Sequence, residues 1–146
     1  MGPAAFERDT TSGDVRQHPH IGLSTVTYLF TGAMMHKDSL GVTQRIEPGA
    51  INLMTAGKGI VHSERVPDDI RNSGTAVEGM QTWLASPTDQ EQIDPSFNHY
   101  GAERLPMATV KGGAVRVLVG AAEGLHSPVK TAYKSACTTF LVNYFL

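Results

Sequence analysis

Short runs dense in β-branched and aromatic residues, cut apart by glycine and proline, leave this chain few options besides a β-sandwich or β-barrel. No apolar period of 3.6 residues is sustained anywhere, so a helical bundle is excluded as the main architecture. Ser24–Phe30 is the strongest strand signal and ends at Gly32. Met34–Lys37 follows and is stopped by Asp38-Ser39-Leu40-Gly41. Val42–Ile46, the turn Glu47-Pro48-Gly49 and Ala50–Met54 continue the pattern, and Gly57-Lys58-Gly59 leads into Ile60–Glu64. Val77–Ala85 and Ala114–Val119 read as two further strands, and the polar stretch Asp89–Arg104 between them reads as a long surface loop. Residues 1–16 are polar and are expected to be poorly ordered unless they add an edge strand.

A chain of 146 residues has room for one substantial core. Its formal charge of −2, with no Lys/Arg run, argues against direct binding of nucleic acid. No apolar stretch approaches the roughly 20 residues that span a bilayer, and the N-terminal segment has no signal-peptide apolar region. A lone cysteine, Cys137, cannot form a disulfide within the chain and fits a reducing compartment, so a cytoplasmic protein is expected.

Chemistry is concentrated in two pairs. His18-Pro19-His20 is an H-x-H pair, and residues two apart on a strand point to the same face. Pro19 fixes its own φ and biases His18 toward an extended backbone. His62-Ser63-Glu64 repeats the device with a carboxylate as second member. Two such pairs on facing strands give a His3Glu set of nitrogen and oxygen donors. That set suits Fe(II), Mn(II), Co(II), Ni(II) or Cu(II) better than a closed structural zinc site. A metal preferring six ligands would keep two positions for water, O2 or a bidentate substrate. The glycines before His62 allow a tight turn and close backbone approach.

The stretch His18–Glu64 resembles the pirin family of the cupin superfamily. HPH-x-G-x-x-TVTY at His18–Tyr28, H-x-DS-x-G at His36–Gly41 and the PG at Pro48-Gly49 carry the likeness. MTAG-x-GI-x-HSE at Met54–Glu64 and G-x-Q-x-W at Gly79–Trp83 complete it, and it continues more loosely through Val115–Gly120 and Ser127–Thr131. The resemblance implies an all-β, jelly-roll-like cupin barrel or sandwich as a single domain at residues 17–127, with 128–146 the start of a linker. It implies His18, His20, His62 and Glu64 as ligands of Fe(II), with Mn, Co, Ni, Cu or Zn accommodated at the same site. Ile21 and Ser24 stand where pirins commonly carry Arg and Glu, which alters pocket charge and not the ligand set.

Pirins are usually two-cupin proteins, and by this resemblance a single cupin is expected here, without the second after Thr131. An exposed apolar face is therefore expected, covered by a homo-oligomer or a protein partner. The activity implied is an Fe(II)-dependent dioxygenase of the quercetin 2,3-dioxygenase type, taking a flavonol-like aromatic substrate and O2. Glu64 would be both ligand and catalytic base. The alternatives are a metal-dependent co-regulator of transcription or metabolism without turnover, or a truncated, inactive remnant.

Outside the ligand set, His36 reads as a turn-stabilising residue in preference to a cavity residue behind the ligands. Asp38 and Ser39 are expected to cap the turn. Glu47 and Lys58 read as rim charges, His99 and His126 as surface residues, and Trp83 and Tyr28 as core or barrel wall.

Overall fold

A computed structural model describes residues 2–6, 10–110 and 113–133. Two four-stranded antiparallel sheets pack face to face, the all-β architecture that the sequence predicts. The first sheet has β1 (Val15–His20), β6 (Ile60–Arg65), β3 (Met34–Asp38) and β4 (Thr43–Ile46), in that order. The second has β7 (Glu78–Ala85), β2 (Leu23–Thr31), β5 (Ile51–Thr55) and β8 (Ser96–Tyr100). One six-residue helix, α1 (Asp68–Ser73), joins β6 to β7 and ends at Gly74 in the left-handed conformation. Two small hairpins follow: β9 (Met107–Val110) with β10 (Gly113–Arg116), then β11 (Ala121–Ala122) with β12 (Leu125–His126). No helix among the described residues is long and apolar enough to cross a membrane.

The two central strands of the second sheet are buried on both faces, which accounts for the unbroken burial of Ile51–Thr55 and most of Leu23–Thr31. Alternation along β2 sends Val26 and Tyr28 outward and Thr25, Thr27 and Leu29 inward. Val26 and Tyr28 join Ile51, Leu53 and Leu84 in an apolar cluster that Leu105, Leu118, Val119 and Val129 cover from outside. Leu29 joins a different cluster, between the sheets, with Met34, Ile46, Ala50, Val66 and Val77. Met54, Ala56 and Ile60, with Phe97 against them, close the opposite end. Between the two inner clusters lies a polar layer.

Asp89–Arg104, expected as a loop, instead contains β8, which pairs with β5 from Ser96↔Thr55 to Tyr100↔Ile51. The segment that leads into β8 explains one glycine. Gly57 sits at φ +50°, and a Cβ there would collide with the Ile93 carbonyl, which accepts a hydrogen bond from the Lys58 amide. Near the N-terminus, Ala4 and Val77 exchange backbone hydrogen bonds in an isolated bridge, and Cys137 lies outside the described residues.

Candidate metal centre

β1 and β6 carry the two sequence pairs, and their register sets His18 directly across from His62. Cross-strand partners point to one face, so His18, His20, His62 and Glu64 all project between the sheets. That alignment depends on a bulge. Val15 opposes Glu64 while His18 opposes His62, so β1 spends one more residue than β6 over the same span. Pro19 lacks an N–H, and β1 is an edge strand, where a missing donor is tolerated.

The three imidazoles converge. Ring centroids are 4.9 Å apart for His18–His20, 4.4 Å for His18–His62 and 5.0 Å for His20–His62. One nitrogen from each lies within 4.8 Å of the others, a grouping able to hold a metal ion. The His18 Nδ1–H donates to the Arg16 carbonyl at 2.8 Å, which leaves the Nε2 lone pair free. Nε2 of His20 and Nε2 of His62 are buried and have no hydrogen-bond partner. A buried polar atom left unpaired costs about 1–3 kcal/mol, and two in one cluster mark a place where a ligand is needed. The residues present therefore fit a metal.

Electrostatics agree. Burial lowers the pKa of His62 to about 3, and the neighbouring His18, His36 and His20 add to the effect, against the opposing pull of Asp38. His20 is also lowered, by burial and then by His18. Both rings are thus neutral near pH 7, the form that ligates.

Glu64 is placed differently from the histidines. It lies on their face of β6, but its Oε1 accepts a hydrogen bond from Gln81 Nε2 at 3.0 Å, and among the described residues the group able to hold a metal comprises the three histidines without it. Burial raises its pKa, opposed by His36, His18 and the Gln81 hydrogen bond. Gln81 comes from the opposing sheet and also donates to Thr27 Oγ1 at 3.0 Å. Its role had a signal in the G-x-Q-x-W motif, because residues two apart on β7 face the same way as Trp83.

Trp83 itself is 61% exposed, not core, and its ring stands nearly perpendicular to that of His20 at 5.2 Å between centroids. Tyr28 is buried, as expected. His36 is a buried cavity residue and not simply a turn residue: it packs 5.2 Å from the His62 ring and stacks on Phe97 at 4.4 Å. Asp38 does cap the turn, its Oδ1 accepting from the Leu40 and Val42 amides. His99, expected at the surface, is half-buried with Nδ1 2.7 Å from Asn52 Oδ1. Both residues belong to the polar layer. His126 is exposed, and Lys58 and Glu47 are exposed charges paired with Asp94 and Arg45.

Comparison with known proteins places these residues in context. The family model for Pirin matches residues 1–84. A pirin-like protein of Caulobacter vibrioides is 50% identical over 131 residues, which cover 88% of this chain and 45% of the relative. A putative quercetin 2,3-dioxygenase of Pseudomonas aeruginosa is 42% identical over 129 residues, 88% of this chain and 39% of the relative. The crystal structure of a quercetin 2,3-dioxygenase from Acinetobacter baumannii superposes with a TM-score of 0.77 at 43% identity, covering 89% of this chain and 41% of that one. The chain spans less than half the length of these relatives. A β-sandwich with three converging histidines, matched by the Pirin model over more than half its length, belongs to the Pirin family and has the cupin fold.

Proposed function

We propose that His18, His20, His62 and Glu64 hold a mononuclear Fe(II) centre, and that the chain is a dioxygenase of the quercetin 2,3-dioxygenase type. The observation that carries this reading is the pair of buried, unpartnered Nε2 atoms on His20 and His62, beside His18. Glu64 is the fourth ligand in this reading because it follows His62 by two residues on the same face. Three imidazoles and a carboxylate suit Fe(II), and also Mn(II), Co(II), Ni(II) or Cu(II). When bound, the metal supplies Lewis acidity toward adjacent substrate oxygens and a redox partner for O2.

The chain's own residues do the rest. Glu64, its pKa raised by burial, is suited to take the proton of a substrate hydroxyl, while the Gln81 amide steadies its Oε1. Trp83 lays an exposed indole beside His20, a flat apolar wall for a planar aromatic substrate. The kinship with proteins named quercetin 2,3-dioxygenase supports a flavonol as that substrate. A ferrous centre also suits the cytoplasm expected from the single cysteine.

The test is to load the purified chain with Fe(II) under anaerobic conditions, then admit oxygen with quercetin. Loss of quercetin matched by oxygen uptake is expected, with neither in His62→Ala. A loaded wild-type chain that consumes neither would overturn the dioxygenase reading.

A further inference from the structure

Behind His62, on the side away from His18, stand two residues that the ligand set does not use. β3 runs antiparallel to β6 with Asp38 across from His62 and His36 across from Glu64. Both side chains are buried, that of Asp38 completely. Asp38 uses its two oxygens separately. Oδ1 accepts from the backbone amides of Leu40 and Val42 at 2.9 and 3.1 Å, and Oδ2 lies 2.8 Å from His36 Nε2.

A carboxylate can only accept, so the His36 proton is on Nε2. Neutral His36 then has its lone pair on Nδ1, and that atom lies 3.4 Å from Nδ1 of His62. Two ring nitrogens that meet can pair only as one donor and one acceptor. With His36 as acceptor, His62 donates from Nδ1, and its own lone pair falls on Nε2. That is the atom left buried without a partner. The stacked Phe97 ring, inclined by 24°, holds the plane of His36 in place. His18 reaches the same state by another route, its Nδ1–H donating to a backbone carbonyl.

We propose that Asp38 and His36 form a positioning relay that fixes the His62 tautomer, so that Nε2 is the metal-binding atom. The relay rests on the metal-centre reading above and adds a determinant of affinity that never touches the metal. Partners of this kind orient the ligand and raise its basicity, and their loss typically weakens metal binding by about 10- to 100-fold.

The test uses Co(II) as probe at pH 8, with wild type, Asp38→Asn, His36→Phe and His36→Asn. Asp38→Asn is nearly isosteric, and its Oδ1 keeps the two turn amides. Its Nδ2 offers a donor to His36 Nε2, which moves the His36 proton to Nδ1 and drives the His62 proton onto Nε2. His36→Phe keeps a ring on Phe97 and removes the acceptor, whereas His36→Asn restores an acceptor near His62. Thermal melts confirm which variants fold, and Asp38→Asn serves if the His36 substitutions do not.

The expected result is about a 10- to 100-fold rise in the Co(II) Kd for Asp38→Asn and His36→Phe, with most of it recovered in His36→Asn. Histidine 15N spectra of the metal-free chain should show His62 protonated on Nδ1 in wild type and on Nε2 in Asp38→Asn. A wild type that binds no Co(II) overturns the metal centre and the relay together. A wild type that binds Co(II) while Asp38→Asn and His36→Phe bind equally well overturns the relay alone. So does a His62 protonated on Nε2 in wild type, or equal loss in His36→Phe and His36→Asn, which would assign His36 to packing.

Discussion

His62 is neutral in the native metal-free chain at any pH above about 3, yet an unfolded histidine takes up a proton below about 6.5. Its folded pKa is depressed, so its contribution to stability is fully present above pH 6.5 and is lost progressively as pH falls toward 3. Each pH unit in that window removes about 1.4 kcal/mol per such group. His20, lowered in the same direction, adds to the slope, while the raised pKa of Glu64 favours the protonated native form and works the other way at lower pH. Urea unfolding of the metal-free chain between pH 7 and 4.5 should therefore show stability falling with pH, more steeply in wild type than in His62→Ala. Parallel slopes would contradict the burial of a neutral His62. The same-face placement of His18 with His20 and of His62 with Glu64 was legible in the sequence, because a spacing of two on a strand is a local rule. The exposure of Trp83 and the contact of His36 with His62 were not, because each depends on which strand pairs with which.

At the scale of elements, the strands with alternating or fully apolar patterns were legible, and two of the elements missed are instructive. β8 reads Ser96-Phe97-Asn98-His99-Tyr100, and its inward side is lined by Phe97 and by His99, which bonds Asn52. A strand that faces a polar layer does not carry a continuous hydrophobic stripe, so its alternation hides among polar residues. α1 is a six-residue helix, too short for any 3.6-residue period to emerge, and tertiary contacts hold it. Its Arg71 is buried and donates to Asp14 Oδ1 and to the Ser12 carbonyl, both at 2.6 Å. Asp14 Oδ1 also accepts from the Val66 amide at 2.9 Å and its Oδ2 lies 3.5 Å from Arg65 Nη1, so a small charged cluster ties the approach to β1 to the exit of β6. Removing one member of a buried pair leaves the other charge uncompensated and costs about 3–5 kcal/mol. The half-exposed Arg65 stays beside Asp14, so Arg71→Ala should lower stability toward the lower end of that range, and Arg71→Met with Asp14→Asn should recover a large part of it. Denaturant midpoints of the three chains, compared at one pH, provide the check. A single substitution that costs under about 1 kcal/mol would show the pair to be behaving like a surface contact.

Across the whole molecule, one sheet separates an apolar outer cluster from the polar layer that surrounds the histidines. The outer face of β2 and β5 carries Val26, Tyr28, Ile51 and Leu53 under Leu118 and Val119, whereas the inner face carries Thr25, Thr27 and Asn52 toward the histidines. Two inner apolar clusters bracket that polar layer, and they leave the region around the imidazoles with polar atoms that need a partner. Such an arrangement lets stability and chemistry be altered separately. Leu118 is fully buried, and Leu118→Ala should cost about 2–5 kcal/mol through lost contacts and the cavity left behind. Because the cavity opens on the face away from the three histidines, the Co(II) Kd should stay within about twofold of wild type. His62→Ala should do the reverse. It should abolish Co(II) binding and with it the stabilisation that a bound ligand confers, about 2.7 kcal/mol at a hundredfold excess over Kd. Melting each chain with and without Co(II) separates the two effects. If Leu118→Ala lost metal affinity in proportion to stability, the outer cluster would be shaping the centre through the sheet, and the sheet could no longer be treated as a rigid partition.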